Sequence, residues 1–595
     1  MPLPIEDYAM ISDCQSAALV GNDGSVDWLC FPRYDSASMF SSLLGDASHG
    51  RWLLAPSDPD ATSTREYIAH TFMLVTRWTT PGGDVEVTDF MPHGNRRADI
   101  IRRVRGVRGE VEMHQDLRIR FDYARAVPWV HQLRGEDTHG IVATAGPDAV
   151  VVRGPRLHAK DESHQGDFTV REGETVDISL TWYPSYRQPP AAPDVDELMT
   201  TSRAWWDEWT KGIRREGRYH LHVLRSLVVL RALTHEDTGG IAAAATTSLP
   251  EQFGGERNWD YRYTWLRDAS LTLSVLINHG YVAEAAEWGR WLIRAVAGDP
   301  ADVQIMYGLG GERDLAEREL ANLPGYQGAS PVRIGNGAVG QFQADVIGEV
   351  MVAVQEAREM HVPEERHAWP VQRALMQFVE DNWQRKDSGI WEMRGEERFF
   401  THSRVMVWAA FDRAIKAVER FGLPGPVERW QGLRSRVEQE IEEHGFDKEL
   451  NSYVQSYGSK EVDASLLILS QVGYVGRTDP RMLGTVARIE HDLMPDGLVM
   501  RYRTQHSDDG LTPGEYPFLA CSFWLVEQYA ASGRHDDATA LMDRLVGFAN
   551  DVQLLSEEYD VRESRMAGNF PQALSHLALV RAADAIEAGR DMRHR

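Results

Sequence analysis

"PPAAPDVDELMTTSRAWWDEWTKGI", residues 189–213, is the stretch where the chain changes texture. Its first part, Pro189 to Glu197, holds three prolines and little that is apolar, so it offers neither a row of backbone donors nor a face to bury. It reads as a linker. The second part sets Trp205, Trp206 and Trp209 among polar residues at helical spacing, and "RYHLHVLRSLVVLRAL" (218–233) continues the pattern.

Upstream, short alternating runs flank turn residues. "SAALVGNDGSVDWLCF" reads as two strands around Asn22-Asp23-Gly24-Ser25, and "FMLVTRWTTPGGDVEVTDF" as two around Pro81-Gly82-Gly83-Asp84. "HGIVATAGPDAVVVRG" and "DFTVREGETVDISLTWYP" repeat the design. The expectation is an antiparallel β-sandwich over 1–188.

Downstream, helical periodicity predicts helices near 219–233, 266–279, 282–297, 340–360, 367–385, 401–421, 427–443, 461–472, 480–491, 516–532, 535–549 and 569–587, with no strand-rich interruption. Consecutive antiparallel helices in that number close as hairpins into a double ring whose inner ends surround one pocket. We read 189–235 as linker helices and 236–595 as the helical domain.

Composition narrows the function. A chain of 595 residues exceeds one core, and 43% apolar with 26% charged residues is ordinary for a globular protein. With 63 basic against 89 acidic side chains the formal charge is −26, which repels phosphate backbones and argues against a nucleic-acid partner. "MPLPIEDYAMISD" lacks the charged and apolar regions of a secretory leader, and no apolar run is long enough for a membrane span. Cys14, Cys30 and Cys521 are too few and too scattered for a disulfide framework or zinc site. The expectation is a cytoplasmic protein without metal or organic cofactor, its oligomeric state open and a homo-oligomer included.

Chemistry collects in the loops before the helices: "RNWDYRYTWLRD", "PVRIGNGA", "GIWEMRGEERFF", "RYRTQHSDDG" and "LLSEEYDVRE". Aromatic rings mixed with carboxylates suit a carbohydrate, whose C–H faces stack on rings while its hydroxyls are gripped by Asp and Arg. In residues 258–270, Trp259, Tyr261, Tyr263 and Trp265 alternate with Asp260 and Arg262, and Arg267-Asp268 follow. That alternation would aim one set at a pocket and the other away from it; the plain alternative is a core segment with a helix-opening ion pair. Glu392 follows Trp391, and a ring beside a carboxyl desolvates it and favours the neutral form a general acid needs; the plain alternative is a solvated loop acid. Its partner would be an ionised carboxylate, and Glu557 and Glu558 stand side by side, so at most one of the two faces the pocket; the plain alternative is a solvated acidic turn. Nucleophile-elbow, zinc-protease, C-x-x-C and phosphate-loop motifs are missing, and "GLGGER" (308–313) reads as a turn.

In sum the motifs "GERNWDYRYTWLRD", "MYGLGGER", "PVRIGNGA", "GIWEMRGE", "DGLVMRYR" and "GNFPQALSHLAL" occur in the order found in glycoside hydrolase family 15, which the chain resembles nearly end to end, closest to its bacterial trehalase branch. The resemblance implies a β-sandwich followed by an (α/α)6 barrel and an inverting, exo-acting hydrolase of α-glucosides, with trehalose ahead of isomaltose, maltose or short dextrins. By motif it makes Glu392 the general acid and Glu557 the general base, and puts Arg267 and Asp268 on the terminal glucose. Arg501 would line the same pocket, and Tyr261, Tyr263, Trp265 and Trp391 would form a stacking wall. The chain departs from the pattern at Glu558, where many fungal members carry an amide. Phosphorolysis on the same architecture and an inactive sugar-binding protein are the competing readings; the carboxylate pair argues against both.

Overall fold

The computed structural model describes all residues except 95, 134–138, 214, 215, 508, 594 and 595. Asp508 of the "RYRTQHSDDG" loop therefore lies outside the described residues. The first 184 residues form a 15-stranded antiparallel assembly. Its pivot is the strand Ala98–Arg118, long enough to serve two sheets. The first half pairs with Gly83–Phe90 and Thr175–Pro184, the second with Arg51–Pro56 and Ser163–Arg171. The expected sandwich is thus two sheets sharing one bent strand.

Three of the expected hairpins form: Ala17–Gly21 with Ser25–Cys30, Leu74–Thr80 with Gly83–Phe90, and Gly140–Ala145 with Asp148–Arg153. The fourth differs. Ser163–Arg171 and Thr175–Pro184 do not pair with each other but flank opposite halves of Ala98–Arg118, so the turn between them carries the chain from one sheet to the other. A turn signal fixes the reversal, whereas the pairing partner is set by which buried face each strand must join.

The helices are α1 Val195–Thr210, α2 His220–Leu233, α3 Leu266–Asn278, α4 Val282–Ala295, α5 Val346–Glu359, α6 Ala368–Asn382 and α7 Thr401–Phe421. There follow α8 Val427–His444, α9 Ile468–Gln471, α10 Pro480–Leu493, α11 Leu519–Ala531, α12 His535–Val546 and α13 Ala573–Arg593. Helices α3, α5, α7, α9, α11 and α13 pack each on the next, α9 joining through the 3-10 turn that precedes it, and α13 returns to α3. The inner ring is closed. Outside it α4 leans on α3, α6 on α7, α8 on α7, α10 on the turn before α9, and α12 on α11. Helix α2, within the stretch read as linker, packs along α13 and fills the sixth outer position. Most outer helices are amphipathic, as in α12, where Ala538, Leu541, Met542 and Leu545 are the buried residues, whereas outer α2 is buried from Val223 to Leu233 and inner α11 almost throughout.

Inner helices α3 and α7 start at the expected residues, Leu266 and Thr401, whereas α5, α9, α11 and α13 start later than periodicity predicts. Gly337–Gly340 is a 3-10 turn and α5 begins at Val346; Pro517 and Pro571 hold their neighbours extended before α11 and α13. The loops of the helical half also carry short two-stranded ladders, such as Thr247–Pro250 with Asn258–Asp260, and no strand-rich stretch among the described residues. No helix among the described residues is long and apolar enough to cross a membrane.

Sheet domain and barrel share one apolar core. At the seam Trp28 donates to the Ala245 carbonyl at 2.9 Å and Tyr34 to the Ala232 carbonyl at 2.7 Å. Arg262, fully buried, is held by Asp260 at 2.7 Å and donates across the seam to the Ser36 carbonyl and the Tyr123 hydroxyl, both at 2.8 Å.

Candidate active site

Segments leading into α3, α5, α7, α11 and α13 converge on one cavity with about 880 Å³ of empty space. Of the predicted residues, Tyr261, Trp265, Arg267, Asp268, Trp391, Glu392, Arg501 and Glu557 all line it. Tyr263 does not: it is buried behind the wall, where its hydroxyl accepts the Gly335 N–H at 3.2 Å. The alternation in 258–265 is realised with that exception, since Trp259, Tyr261 and Trp265 face the cavity while Asp260 and Arg262 face the sheet domain.

On one wall, Glu392 sits in a turn between α6 and α7 with φ of 58°, an uncommon backbone for a residue with a side chain, and Gln341 donates to its carbonyl at 3.1 Å. Its Oε1 accepts the Trp265 indole N–H at 2.6 Å and lies 3.9 Å from Arg267 Nη1. Arg267 is itself fixed by Asp268 at 2.7 Å and by the Ile390 carbonyl at 2.6 Å. Burial pushes the Glu392 carboxyl up to about 7, against the opposing pull of Arg267 and the Trp265 hydrogen bond.

Another part of the lining carries Glu557, which is 1% exposed. Its Oε2 accepts the Asn569 N–H at 3.1 Å. Gly568 must be glycine here: its φ is +73°, and a Cβ would come within 2.7 Å of Oε2. Glu558 opens the strand Glu558–Asp560, paired with Arg565–Ala567, and does not line the cavity. Neither of its oxygens has a hydrogen-bond partner among the described residues.

Glu251 completes the wall. One of its oxygens, one of Glu557 and one of Glu558 lie within 4.8 Å of one another. It accepts from Arg501 at 2.6 Å and from the Trp259 indole at 3.0 Å; Arg501 is shared with Glu515 at 2.5 Å. Burial and the neighbouring acids push Glu557 and Glu558 upward. Sequence reasoning missed Glu251 and Glu515. A buried arginine such as Arg501 signals that carboxylate partners exist, but only the fold says which.

The family model described as glycosyl hydrolases family 15 matches residues 217–584, and one described as trehalase-like, N-terminal, matches residues 1–172. The chain belongs to glycosyl hydrolase family 15. Among its relatives is the trehalase of Mycobacterium tuberculosis, 36% identical over 97% of this chain and 89% of that one. Another is the trehalase of Thermoplasma volcanium, 33% identical over 98% and 93%. A bacterial glucoamylase solved with acarbose superposes with a TM-score of 0.75 over 98% of this chain and 94% of its own, at 12% identity, and so shares the fold. As a member of this family the protein is a glycoside hydrolase acting on a small α-glucoside.

Proposed function

We propose that the protein is an inverting, exo-acting hydrolase with trehalose as substrate, Glu392 as general acid and Glu557 as general base. The observation that carries this reading is the placement of both carboxylates on one sugar-sized, aromatic-lined cavity, each with its own set of fixed donors. Trehalose is favoured because relatives named trehalase align across nearly the whole chain, sheet domain included. Other family-15 α-glucosides, isomaltose and maltose first, form the second reading, and the bacterial glucoamylase fold is compatible with it.

Atom by atom, Trp265 occupies Glu392 Oε1, so the acidic proton belongs on Oε2. It passes to the glycosidic oxygen as the anomeric carbon becomes oxocarbenium-like. Glu557 takes a proton from water attacking the opposite face. Three crowded carboxylates around one guanidinium cannot all ionise. Glu557 receives the Asn569 N–H, which favours its charged form, whereas Glu558 receives no donor and keeps the proton at least cost. This supports Glu557 over Glu558 as the base. Arg267 and Asp268, rigidly paired, orient the terminal sugar.

Proton NMR during hydrolysis of trehalose, isomaltose, maltose and maltotriose tests the reading. Trehalose should turn over fastest and half of its released glucose should appear first as the β-anomer. An initial product that is all α-anomer would sink inversion; a faster rate on another sugar would move the substrate.

A further inference from the structure

The loop before α11 does more than connect. Asp509, 3% exposed, accepts from Arg257 Nη2 and from the Tyr502 hydroxyl, both at 2.7 Å, and its carbonyl accepts the Arg394 N–H at 2.9 Å. Three residues on, the Thr512 carbonyl accepts from Arg257 at 3.1 Å and its N–H donates to Glu256 at 3.0 Å. Gly514 lies so close to Gln252 that a Cβ would fall 1.9 Å from the amide oxygen, and the Tyr516 N–H donates to the Glu251 carbonyl at 3.0 Å. Asp509 and Leu511 line the cavity.

Residues 509–515 are therefore pinned at one end to the turn that carries Glu392 and along their length to the segment 251–257. Placing buried Arg257 against Asp509 contributes little net stability after desolvation; its effect is to fix where this backbone runs. Given the acid role proposed above for Glu392, the departing ring lies against the 389–394 turn, because the acid must reach the leaving oxygen. Arg394, two residues beyond the acid, is where the loop is tied.

We propose that residues 509–515 are a fixed strap that ends the leaving-group side of the cavity after one sugar ring, making the enzyme selective for disaccharides over longer α-glucosides. The inference rests on the proposed hydrolytic reading but is separable from it. A dead-end wall discriminates by steric exclusion, so it acts on kcat/KM for the longer substrate rather than on chemistry at the shared bond.

The test compares trehalose with the trisaccharide bearing one further α-1,4-glucose on trehalose; either mode of attack places two rings on the leaving side. Should the substrate panel favour maltose, maltose and maltotriose take their place. The wild-type enzyme should prefer the disaccharide by about tenfold or more in kcat/KM. Two variants free the strap: Arg257→Ala, and a two-glycine insertion after Thr512 that leaves every lining side chain in place. Limited proteolysis within 509–515 reports that it has been freed, and circular dichroism that the fold is kept. In a freed variant the preference should shrink toward parity. Wild-type rates within about twofold for the two sugars, or an unchanged ratio once proteolysis shows the strap freed, would overturn the proposal. If the wild type turns over no α-glucoside, the hydrolytic reading fails, and the strap is judged by calorimetric binding of both sugars to Glu392→Gln: equal binding rejects it, and trisaccharide binding gained only with the insertion sustains it.

Discussion

The cavity's two walls use the same side chain in opposite ways. On the 389–394 wall one glutamate stands alone, with Trp265 on one oxygen and Arg267 at 3.9 Å. On the 557 wall Glu251 and Glu557 line the cavity with Glu558 beside them, Arg501 bonds Glu251 and Glu515, and Glu557 receives the Asn569 N–H. Burial, with smaller pushes from Asp268 and Asp345, raises the acid on the first wall, which suits donation; on the second, a neighbour able to hold the proton leaves one carboxylate free to accept one. Role follows from surroundings, not from residue type.

The largest expected effects remove either role. Glu392→Gln and Glu557→Gln should each lower kcat by about 10²–10⁴-fold while trehalose still binds by calorimetry. If Glu558→Gln instead produced the larger loss, the two walls would have been matched to the wrong residues.

Next comes the clamp. Arg267→Lys keeps a charge but loses the fork that holds both Asp268 and the Ile390 carbonyl, and kcat/KM should fall by roughly 100-fold through misplacement of the sugar. A loss confined to KM would mean that Arg267 binds without orienting.

The pH–rate profile separates the walls most finely. Glu392, raised to about 7, is active protonated, so rate should decline as pH rises through about 7. The base is active ionised and is raised by its neighbours, so rate should also decline as pH falls, from a point above the ordinary carboxylate range. Glu558→Gln replaces a protonated, neutral neighbour by a neutral amide and should leave the acidic limb in place, whereas Glu251→Gln removes the charge that adds to burial in pushing Glu557 up and should move that limb downward. Trp265→Phe deletes a donor that favours ionised Glu392, so the acid keeps its proton longer and the alkaline limb should move up by about one pH unit. Limbs that moved together would mean the walls are electrostatically one site.

Local patterns were legible where physics is local. Alternation and turn residues marked the strands, and three- and four-residue periodicity marked every long helix, α13 included. Of the nine candidate residues marked in the sequence, eight line the cavity. What failed to show was orientation at single positions. Tyr263 matched the aromatic alternation yet turned its hydroxyl to the Gly335 N–H, because the segment leaves its strand at Asp260 and the two-residue period lapses there. The strands Ser163–Arg171 and Thr175–Pro184 showed a hairpin turn and joined different sheets for a comparable reason.

By itself, then, the sequence determined the order of a β and an α half, the ring-forming helices and the two acid-bearing turns, since propensity, periodicity and turn chemistry act over a few residues. Only the tertiary structure decided that Glu251 and Glu515 share Arg501, that Glu558 has no donor, and that Asp509 meets Arg257 from 252 residues away. Those pairings join distant segments, and the energy of a buried charge depends on which neighbours the finished fold places around it.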